Sequence, residues 1–122
     1  MKKKIVLVAA AILGTAVLGG CTAQQGGQDT AGGEKVYKIG VTQYADHPSL
    51  DNCREGFIQG LKENGFEEGK NIEIEVQNAQ NDAAMNTQIA QTFAGSKDLV
   101  CGIATPSAQA LYAACYEKGI PV

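Results

Sequence analysis

The sequence has no tryptophan, a single histidine and no Cys-x-x-Cys pair among its four cysteines. A structural zinc site needs several closely spaced cysteine and histidine ligands, so this composition argues against one. The Gly-x-Gly-x-x-Gly, P-loop and Gly-x-Ser-x-Gly motifs are also missing, and with them the common nucleotide and hydrolase sites. No nucleophile–base pair can be placed either, so we predict no enzyme activity and no cofactor.

Positive charge is scarce outside the first few residues. The net charge is −3, but three of the ten basic residues are Lys2, Lys3 and Lys4. Residues 21–122 therefore carry seven basic and 13 acidic side chains, a net charge of −6. Nucleic-acid binding needs a basic surface, so we expect no nucleic-acid partner.

The N-terminus has the parts of an export signal. The three lysines precede an apolar stretch, Ile5 to Leu18, which is shorter than the roughly 20 residues of a membrane-spanning helix. Residues 1–20 are therefore predicted to be a signal peptide. The run Leu18-Gly19-Gly20-Cys21 resembles the bacterial lipobox, which implies cleavage before Cys21 and its lipidation; a plain signal peptide with a chance cysteine is the alternative.

Lipidation of Cys21 has a consequence for location. Acyl chains on this residue would anchor the protein on the extracytoplasmic face of the cell membrane. The residues that follow, 22–34, are small and polar, so residues 21–34 are predicted to form a lipidated, flexible tether.

Residues 35–122 alternate strand and helix patterns. Strands are predicted at residues 36–43, 72–76 and 98–104, and a fourth begins at residues 120–122. A helical pattern follows each of the first three, so the order β-α-β-α-β-α-β favours an α/β fold with a parallel, doubly wound sheet. Strand two alternates apolar and polar residues, as an edge strand does, whereas strand three is apolar throughout. We therefore predict the strand order 2-1-3-4.

Each helical pattern has a start signal and an apolar face. Helix one is predicted to be capped by Ser49 and ended by Gly65, with Phe66 packing back on Leu61. Helix two is predicted to be capped by Asn81 or Asp82, and helix three by Thr105, with Pro106 at its first position. The predicted buried faces are Leu50, Cys53, Phe57 and Leu61 in helix one; Met85, Ile89 and Phe93 in helix two; and Ala108, Leu111, Tyr112 and Cys115 in helix three.

The three cysteines after Cys21 all fall on apolar faces. Cys53, Cys101 and Cys115 are therefore predicted to be buried free thiols. A Cys101–Cys115 disulfide is the alternative, because the protein is predicted to be exported. Strand four has barely begun at Val122, so we expect the chain to be part of a longer protein, with a small complete domain as the alternative.

The candidate binding residues lie where strands end, because ligands of open parallel sheets bind beyond the carboxyl ends of the strands. At the start of helix three, Thr105, Ser107 and Ala108 offer hydroxyl and backbone N–H groups that suit a carboxylate, whereas Pro106 has no N–H. A helix start that binds only water is the alternative. Gln43, His47 and Asn78 follow or end strands one and two and are further candidates. The alternative is loop hydrogen bonding for Gln43 and Asn78, and a structural or merely exposed residue for His47.

These residues carry a family resemblance that extends over residues 37–122. The sequence resembles the lipoprotein substrate-binding proteins of ABC transporters, in the subgroup related to tryptophan and aromatic amino-acid uptake. The matching segments are Ile39-Gly-Val-Thr-Gln, His47-Pro48, Leu50-Asp51, Gly56-Phe57, Gly60-Leu61, Gly65-Phe66-x-Glu-Gly-Lys-Asn71, Asn78-Ala-Gln80 and Ile103-Ala-Thr-Pro-Ser-Ala-Gln109.

The resemblance implies the first part of lobe one of a two-lobed periplasmic-binding-protein type I fold, whose lobes close over a ligand like a hinge. It implies that Thr105, Ser107 and Ala108 hold a carboxylate, that Gln43 and His47 form one wall and that Asn78 forms another. The ligand would be an amino acid, an aromatic one by the family's suggestion, delivered to an ABC permease in the membrane. The alternatives are a lipoprotein sensor that feeds a membrane receptor or kinase, and a truncated product without transport function.

Overall fold

The computed structural model describes residues 35–122. The predicted signal peptide, the lipidation of Cys21 and the tether lie outside the described residues. Within them, no helix is both long enough and apolar enough to cross a membrane.

The described residues form a parallel sheet with helices on both faces. The elements are β1 (Tyr37–Gln43), α1 (Pro48–Glu63), β2 (Ile72–Asn78), α2 (Ala83–Ala94), β3 (Leu99–Ile103), α3 (Thr105–Cys115) and a 3₁₀ turn (Tyr116–Lys118). Within residues 35–122 the sheet has three strands in the order β2-β1-β3, all parallel. This confirms the predicted α/β class and the position of β2 at an edge.

The predicted fourth strand is not formed as a strand at residues 120–122. The segment nevertheless lies beside β3, because the Val100 N–H donates a 3.0 Å hydrogen bond to the Pro121 carbonyl. That position agrees with the order 2-1-3-4, although one hydrogen bond is too few to define a strand.

Two apolar layers hold the helices to the sheet. On one face, Ile39, Val41, Ile72 and Ile103 form a buried cluster against α1. On the other face, Phe93 of α2 and Leu111 of α3 belong to a second cluster, together with Val100 of β3. Because side chains alternate along a strand, β1 and β3 serve both layers.

Two glycines let the second layer pack closely. A Cβ atom on Gly40 would lie 2.6 Å from the Phe93 ring, and one on Gly102 would lie 2.6 Å from the Ala108 nitrogen. These distances are well inside van der Waals contact. Glycine at these positions therefore allows α2 and α3 to approach the sheet more closely than any other residue would.

The start of α1 differs from the prediction. His47, not Ser49, is the N-cap: its Nδ1 accepts a 3.1 Å hydrogen bond from the Ser49 N–H. The predicted end is confirmed, since Gly65 has φ 86° and the N–H groups of Gly65 and Phe66 donate to the carbonyls of Lys62 and Leu61. These two bonds form a Schellman motif.

The observed buried faces of α2 and α3 differ from the predicted ones. In α2, Asp82 is the N-cap as predicted, but Met85 is 47% exposed and its neighbour Asn86 is buried instead. In α3, Tyr112 is 58% exposed, and Ser107 joins Leu111 and Cys115 in the buried set.

The cysteines are free thiols among the described residues, so the Cys101–Cys115 disulfide is not formed. Cys115 is buried, Cys101 is half-buried and Cys53 is exposed, so the prediction of burial was wrong for Cys53. Burial raises the pKa of the Cys101 thiol, with a smaller contribution from Cys53, and burial also raises the pKa of Cys115. A raised pKa keeps a thiol protonated and unreactive.

Candidate functional site

The candidate site is the edge of the sheet that is formed by the carboxyl ends of all three strands. Gln43 of β1 is in register with Asn78 of β2 and with Ile103 of β3. The loops that follow the strands, at residues 44–47, 79–82 and 104, therefore leave the sheet side by side. This arrangement brings together the three segments that contain the predicted site residues.

Backbone strain is concentrated at this edge. Among residues 35–122, the non-glycine residues with positive φ are Gln80 (52°), Asn81 (62°) and Ala104 (78°). Each of them lies in a loop that follows a strand at this edge. Such conformations are unfavourable and tend to cluster at functional sites, where the surrounding structure maintains them.

The first two loops support each other. The Asn81 N–H donates to the Tyr44 carbonyl at 2.8 Å, and the Tyr44 hydroxyl donates to the Asn81 carbonyl at 3.3 Å. The Asn78 amide joins the same loops, since its Nδ2 donates to Asp46 Oδ1 at 2.6 Å. Asn78 Oδ1 accepts from the Gln80 N–H at 2.8 Å. Both the nitrogen and the oxygen of the Asn78 side-chain amide therefore have hydrogen-bond partners within the chain.

Gln43 is fully buried and bridges the sheet to α1. Its Nε2 donates to the Ala45 carbonyl at 2.6 Å and to Asp51 Oδ1 at 2.9 Å. Its Oε1 accepts from Arg54 Nη1 at 2.9 Å. Both donor hydrogens are thus used within the chain. Its observed contacts hold the start of α1 in place, and its predicted contact with a ligand stays a prediction.

His47 lies on the surface beside these residues. Its Nδ1 is occupied by the Ser49 N–H, as the N-cap of α1. Nε2 is the nitrogen left for any other partner. The structure places His47 in the same loop as predicted, and its contact with a ligand also stays a prediction.

The start of α3 is unlike the other two helix starts. α1 and α2 are capped by the side chains of His47 and Asp82, whereas the N-cap of α3 is Ala104, which has no side-chain hydrogen bond. The prediction that Thr105 is the N-cap was therefore wrong. Ala104 cannot cap the helix because its side chain has no acceptor.

Only some of the backbone N–H groups in the first turn of α3 make hydrogen bonds. The Ala108 N–H donates to the Ala104 carbonyl at 3.1 Å, so it makes the first bond of the helix. The N–H groups of Thr105 and Ser107 have no hydrogen-bond partner within residues 35–122. Of the predicted backbone donors, Ala108 is therefore already bonded and Ser107 is unbonded but fully buried. Thr105, which is exposed, offers an accessible N–H in addition to its hydroxyl.

The Ser107 side chain makes a hydrogen bond within the protein. It is fully buried, and its Oγ donates to Asn86 Oδ1 at 3.0 Å. Asn86 Nδ2 donates in turn to the Pro106 carbonyl at 3.0 Å. Sequence reasoning missed Asn86. The signal was present, because Asn86 is three and seven residues before Ile89 and Phe93 and is thus a polar residue on an apolar helix face.

Within residues 35–122, no group of histidine, cysteine, aspartate and glutamate side chains is arranged to hold a metal ion. What the edge offers is a set of polar loop groups and an uncapped helix start. Such a surface can hold a small polar molecule by hydrogen bonds, and its free N–H groups favour an anionic end.

The sequence is similar to known proteins over most of its length. The family model described as ABC transporter substrate binding protein matches residues 38–122. The "Tyrosine-binding protein" of Clostridioides difficile (strain R20291) is 41% identical over 127 aligned residues, which cover 99% of this chain and 36% of that protein. The chain thus spans about a third of the length of this curated relative.

Solved structures of similar proteins have the same fold over this region. A ligand-free, open substrate-binding protein with adhesive properties from Clostridium difficile is 52% identical, with a TM-score of 0.62 over 64% of this chain and 27% of that one. A conserved domain protein from Vibrio cholerae is 48% identical, with a TM-score of 0.64 over 66% and 27%. A protein from Streptococcus pneumonia in complex with L-Trp is 38% identical, with a TM-score of 0.62 over 66% and 27%.

Proposed function

This chain belongs to the family of ABC transporter substrate-binding proteins, and from this premise we propose that it supplies one wall of a binding pocket for a free amino acid. The carboxylate of that amino acid binds at the start of α3. The ligand is aromatic, tyrosine or tryptophan, and the full-length protein delivers it to an ABC importer.

One observation carries the carboxylate site. The first turn of α3 presents the N–H group of the exposed Thr105 without a partner among the described residues, and it has no side-chain cap. Exposed N–H groups at a helix start attract negative charge and bind carboxylates well. The side-chain caps of α1 and α2 fill the equivalent role in those helices, so the start of α3 is the one left for a ligand.

The identity of the ligand is supported by the relatives. The curated relative is a tyrosine-binding protein, and one of the similar structures contains L-Trp. Both ligands have the carboxylate that this site requires. The residues that would distinguish their side chains are not among those that we assign.

Calorimetric titration of the full-length protein tests this proposal. We expect tyrosine or tryptophan to bind, and we expect the corresponding amides, in which a neutral group replaces the carboxylate, to bind at least about tenfold more weakly. A protein that binds neither amino acid would contradict the proposed function. Equal binding of acid and amide would place the carboxylate elsewhere.

The Thr105 hydroxyl can be tested separately. Thr105→Val keeps the shape of the side chain but removes the hydroxyl, and we expect it to weaken tyrosine binding by about 1–3 kcal/mol. Thr92→Val is the matched control, because the Thr92 hydroxyl donates to the Gln88 carbonyl within α2, in its last turn. Unchanged affinity in Thr105→Val would mean that the hydroxyl does not contact the ligand.

We also propose that the protein is anchored by lipid on Cys21, outside the cell. The support is the sequence Leu18-Gly19-Gly20-Cys21 after a basic and then apolar segment. Cys21→Ala is expected to release the protein from the membrane fraction, with Cys53→Ala as the control. Continued membrane association of Cys21→Ala would contradict the anchor.

Delivery to an importer is a separate part of the proposal. Deletion of the gene is expected to abolish uptake of radiolabelled tyrosine or tryptophan at low external concentration. Normal uptake combined with a lost transcriptional or chemotactic response would instead favour a sensor that feeds a membrane receptor or kinase.

A further inference from the structure

We propose that His47 is a pH-sensitive cap of α1, so that acidification loosens the first loop of the candidate site and weakens amino-acid binding. The inference rests on the proposed function, because it concerns regulation of the same site. His47 is the one histidine of the sequence. Histidine is the side chain that ordinarily changes charge between pH 5 and 8.

The hydrogen bond that caps α1 requires a neutral imidazole. His47 Nδ1 accepts from the Ser49 N–H at 3.1 Å, so in this bond Nδ1 carries no proton. In a protonated ring both nitrogens are donors, and neither can accept from Ser49. A positive charge is also unfavourable at the start of a helix, where the partial charge is already positive. Because His47 is exposed, protons from the solvent reach it, and protonation breaks the bond.

The charged groups around His47 within residues 35–122 do not pair with it. Those of the adjoining segments are Asp46 in the same loop, Asp51 and Arg54 in α1, and Asp82 in the loop after β2. Among the described residues, no ion pair joins His47 to any of them. Each of the three carboxylates accepts hydrogen bonds from other residues. The observed contacts therefore do not hold a charged His47 in the cap position.

The loop that ends at His47 belongs to the candidate site. Hydrogen bonds fix its three preceding residues, Tyr44 to Asn81, Ala45 to Gln43 and Asp46 to Asn78. The bond from Ser49 fixes the ring of His47 and with it the direction of Nε2, the nitrogen left for a ligand. Loss of this bond frees the ring and the last residue of the loop. The wall predicted to contain His47 then loses its fixed position, and binding weakens.

Hydrogen exchange of the full-length protein, measured by NMR, tests the cap itself. Between about pH 7.5 and about pH 5.5, we expect the protection of the Ser49 amide to fall about fivefold, after correction for the intrinsic effect of pH on exchange. The Met85 amide is the control in the same spectra. It donates to Asp82 Oδ1 at 2.7 Å, and aspartate ordinarily stays ionised over this range. In His47→Asn the cap does not titrate, so the protection of Ser49 is expected to stay constant.

Calorimetric titration with tyrosine, or with tryptophan if that is the amino acid bound, tests the coupling to binding. Between the same two pH values, we expect the affinity of the wild-type protein to fall by up to about fivefold more than that of His47→Asn, since the cap is the difference between them. Both proteins are compared at each pH, so any titration of the ligand itself cancels.

The two measurements fail separately. Constant protection of the Ser49 amide in the wild-type protein would overturn the pH-sensitive cap, whether or not His47→Asn folds. A fall in protection, with the same pH dependence of affinity in wild type and His47→Asn, would show that the cap does not govern the site; it would overturn the inference and leave the proposed function intact. A wild-type protein that binds neither amino acid at pH 7.5 would contradict the proposed function and, with it, the coupling to binding.

Discussion

The substitution Gly102→Ala tests whether the close approach of α3 to β3 holds the candidate site together. The added methyl carbon would lie 2.6 Å from the Ala108 nitrogen, 2.7 Å from the Ala108 Cα and 2.9 Å from the Ser107 carbonyl carbon. All three are backbone atoms, so rotation of a side chain cannot relieve the overlap. The first turn of α3 must move instead.

The distances set the size of the effect. Carbon atoms pack best at about 3.5–4.0 Å, so the turn must retreat from the sheet by roughly 0.8 Å. The two bonds of Asn86 to this turn are 3.0 Å long, and a retreat of that size would misalign and weaken them. Overpacking and the weakened bonds together are expected to lower the free energy of unfolding by about 2–3 kcal/mol.

Urea unfolding of the full-length protein, followed by far-UV circular dichroism, measures this change. Gly56→Ala is the matched control, because Gly56 lies within α1 and a Cβ there would meet no atom within 4 Å. In that helix, alanine is expected to raise the free energy of unfolding by about 0.5–1 kcal/mol. Tyrosine affinity should fall in Gly102→Ala and remain unchanged in Gly56→Ala.

A lower free energy of unfolding in Gly102→Ala, together with a higher one in Gly56→Ala, would show that the close packing of α3 on β3 stabilises the protein. If Gly102→Ala unfolds at the wild-type urea concentration, the turn retreats without loss, and the close packing of α3 does not contribute to stability. If it is destabilised but binds tyrosine normally, the position of the turn does not govern the site.

Three further predictions concern the scaffold around the site. Asp82→Ala removes the oxygen that accepts the Met85 N–H at 2.7 Å and is expected to lower the free energy of unfolding by about 1 kcal/mol in urea titrations, whereas Asp82→Asn should retain most of it. The buried Thr42 hydroxyl has no partner among the described residues, so Thr42→Val is expected to raise the melting temperature; a lower value would reveal a hidden partner. The hydrogen bond from Lys97, followed by one from Gln77, lowers the pKa of Glu75, so Glu75→Gln should destabilise the protein near neutral pH. This effect should begin to fade as the pH falls through the ordinary glutamate pKa of about 4.3, and it should vanish below the lowered pKa of the folded protein, where the carboxyl is protonated in both states. An effect of Glu75→Gln that is equal at pH 3 and pH 7 would contradict this last assignment.

The order of elements was predictable because it is encoded locally. β2 alternates between apolar and polar residues, β3 is apolar, and Gly65 follows the end of α1 as predicted. The sheet order followed from the same patterns, since burial on one or both faces decides whether a strand lies at an edge.

The helix starts were less predictable, because capping depends on where the chain leaves the preceding strand. Ser49 and Thr105 have good capping side chains, yet each lies within its helix, and His47 and Ala104 occupy the cap positions. Only the three-dimensional path of the loop decides this. For α2 the sequence left two adjacent candidates, Asn81 and Asp82, and the structure shows Asp82 in the cap position.

The rotation of α2 and α3 was decided by tertiary contacts. Asn86 is buried in place of Met85 because its amide finds partners on α3. Its spacing from Ile89 and Phe93 places it on the apolar face, but the sequence of α2 does not reveal those partners. The convergence of the three predicted loops at one edge of the sheet was predicted correctly, since it follows from the parallel sheet. Hydrogen bonding of Gln43 and Asn78 within the chain was foreseen only as an alternative, and its partners, such as Arg54 and Asp46, were not predicted because they are distant in sequence.

All three described helices begin at the edge where the strands end, and this affects which molecules can reach it. Residues 21–122 carry a net charge of −6, so at low ionic strength the domain repels anions that approach from a distance. At physiological ionic strength this repulsion is screened beyond about 8 Å, and the partial positive charges of the helix starts act only at shorter range. A zwitterionic amino acid has no net charge and approaches without an electrostatic barrier, whereas a dicarboxylate must cross one. The charge of this part of the protein therefore favours the approach of the neutral ligand that we propose over that of an anionic one.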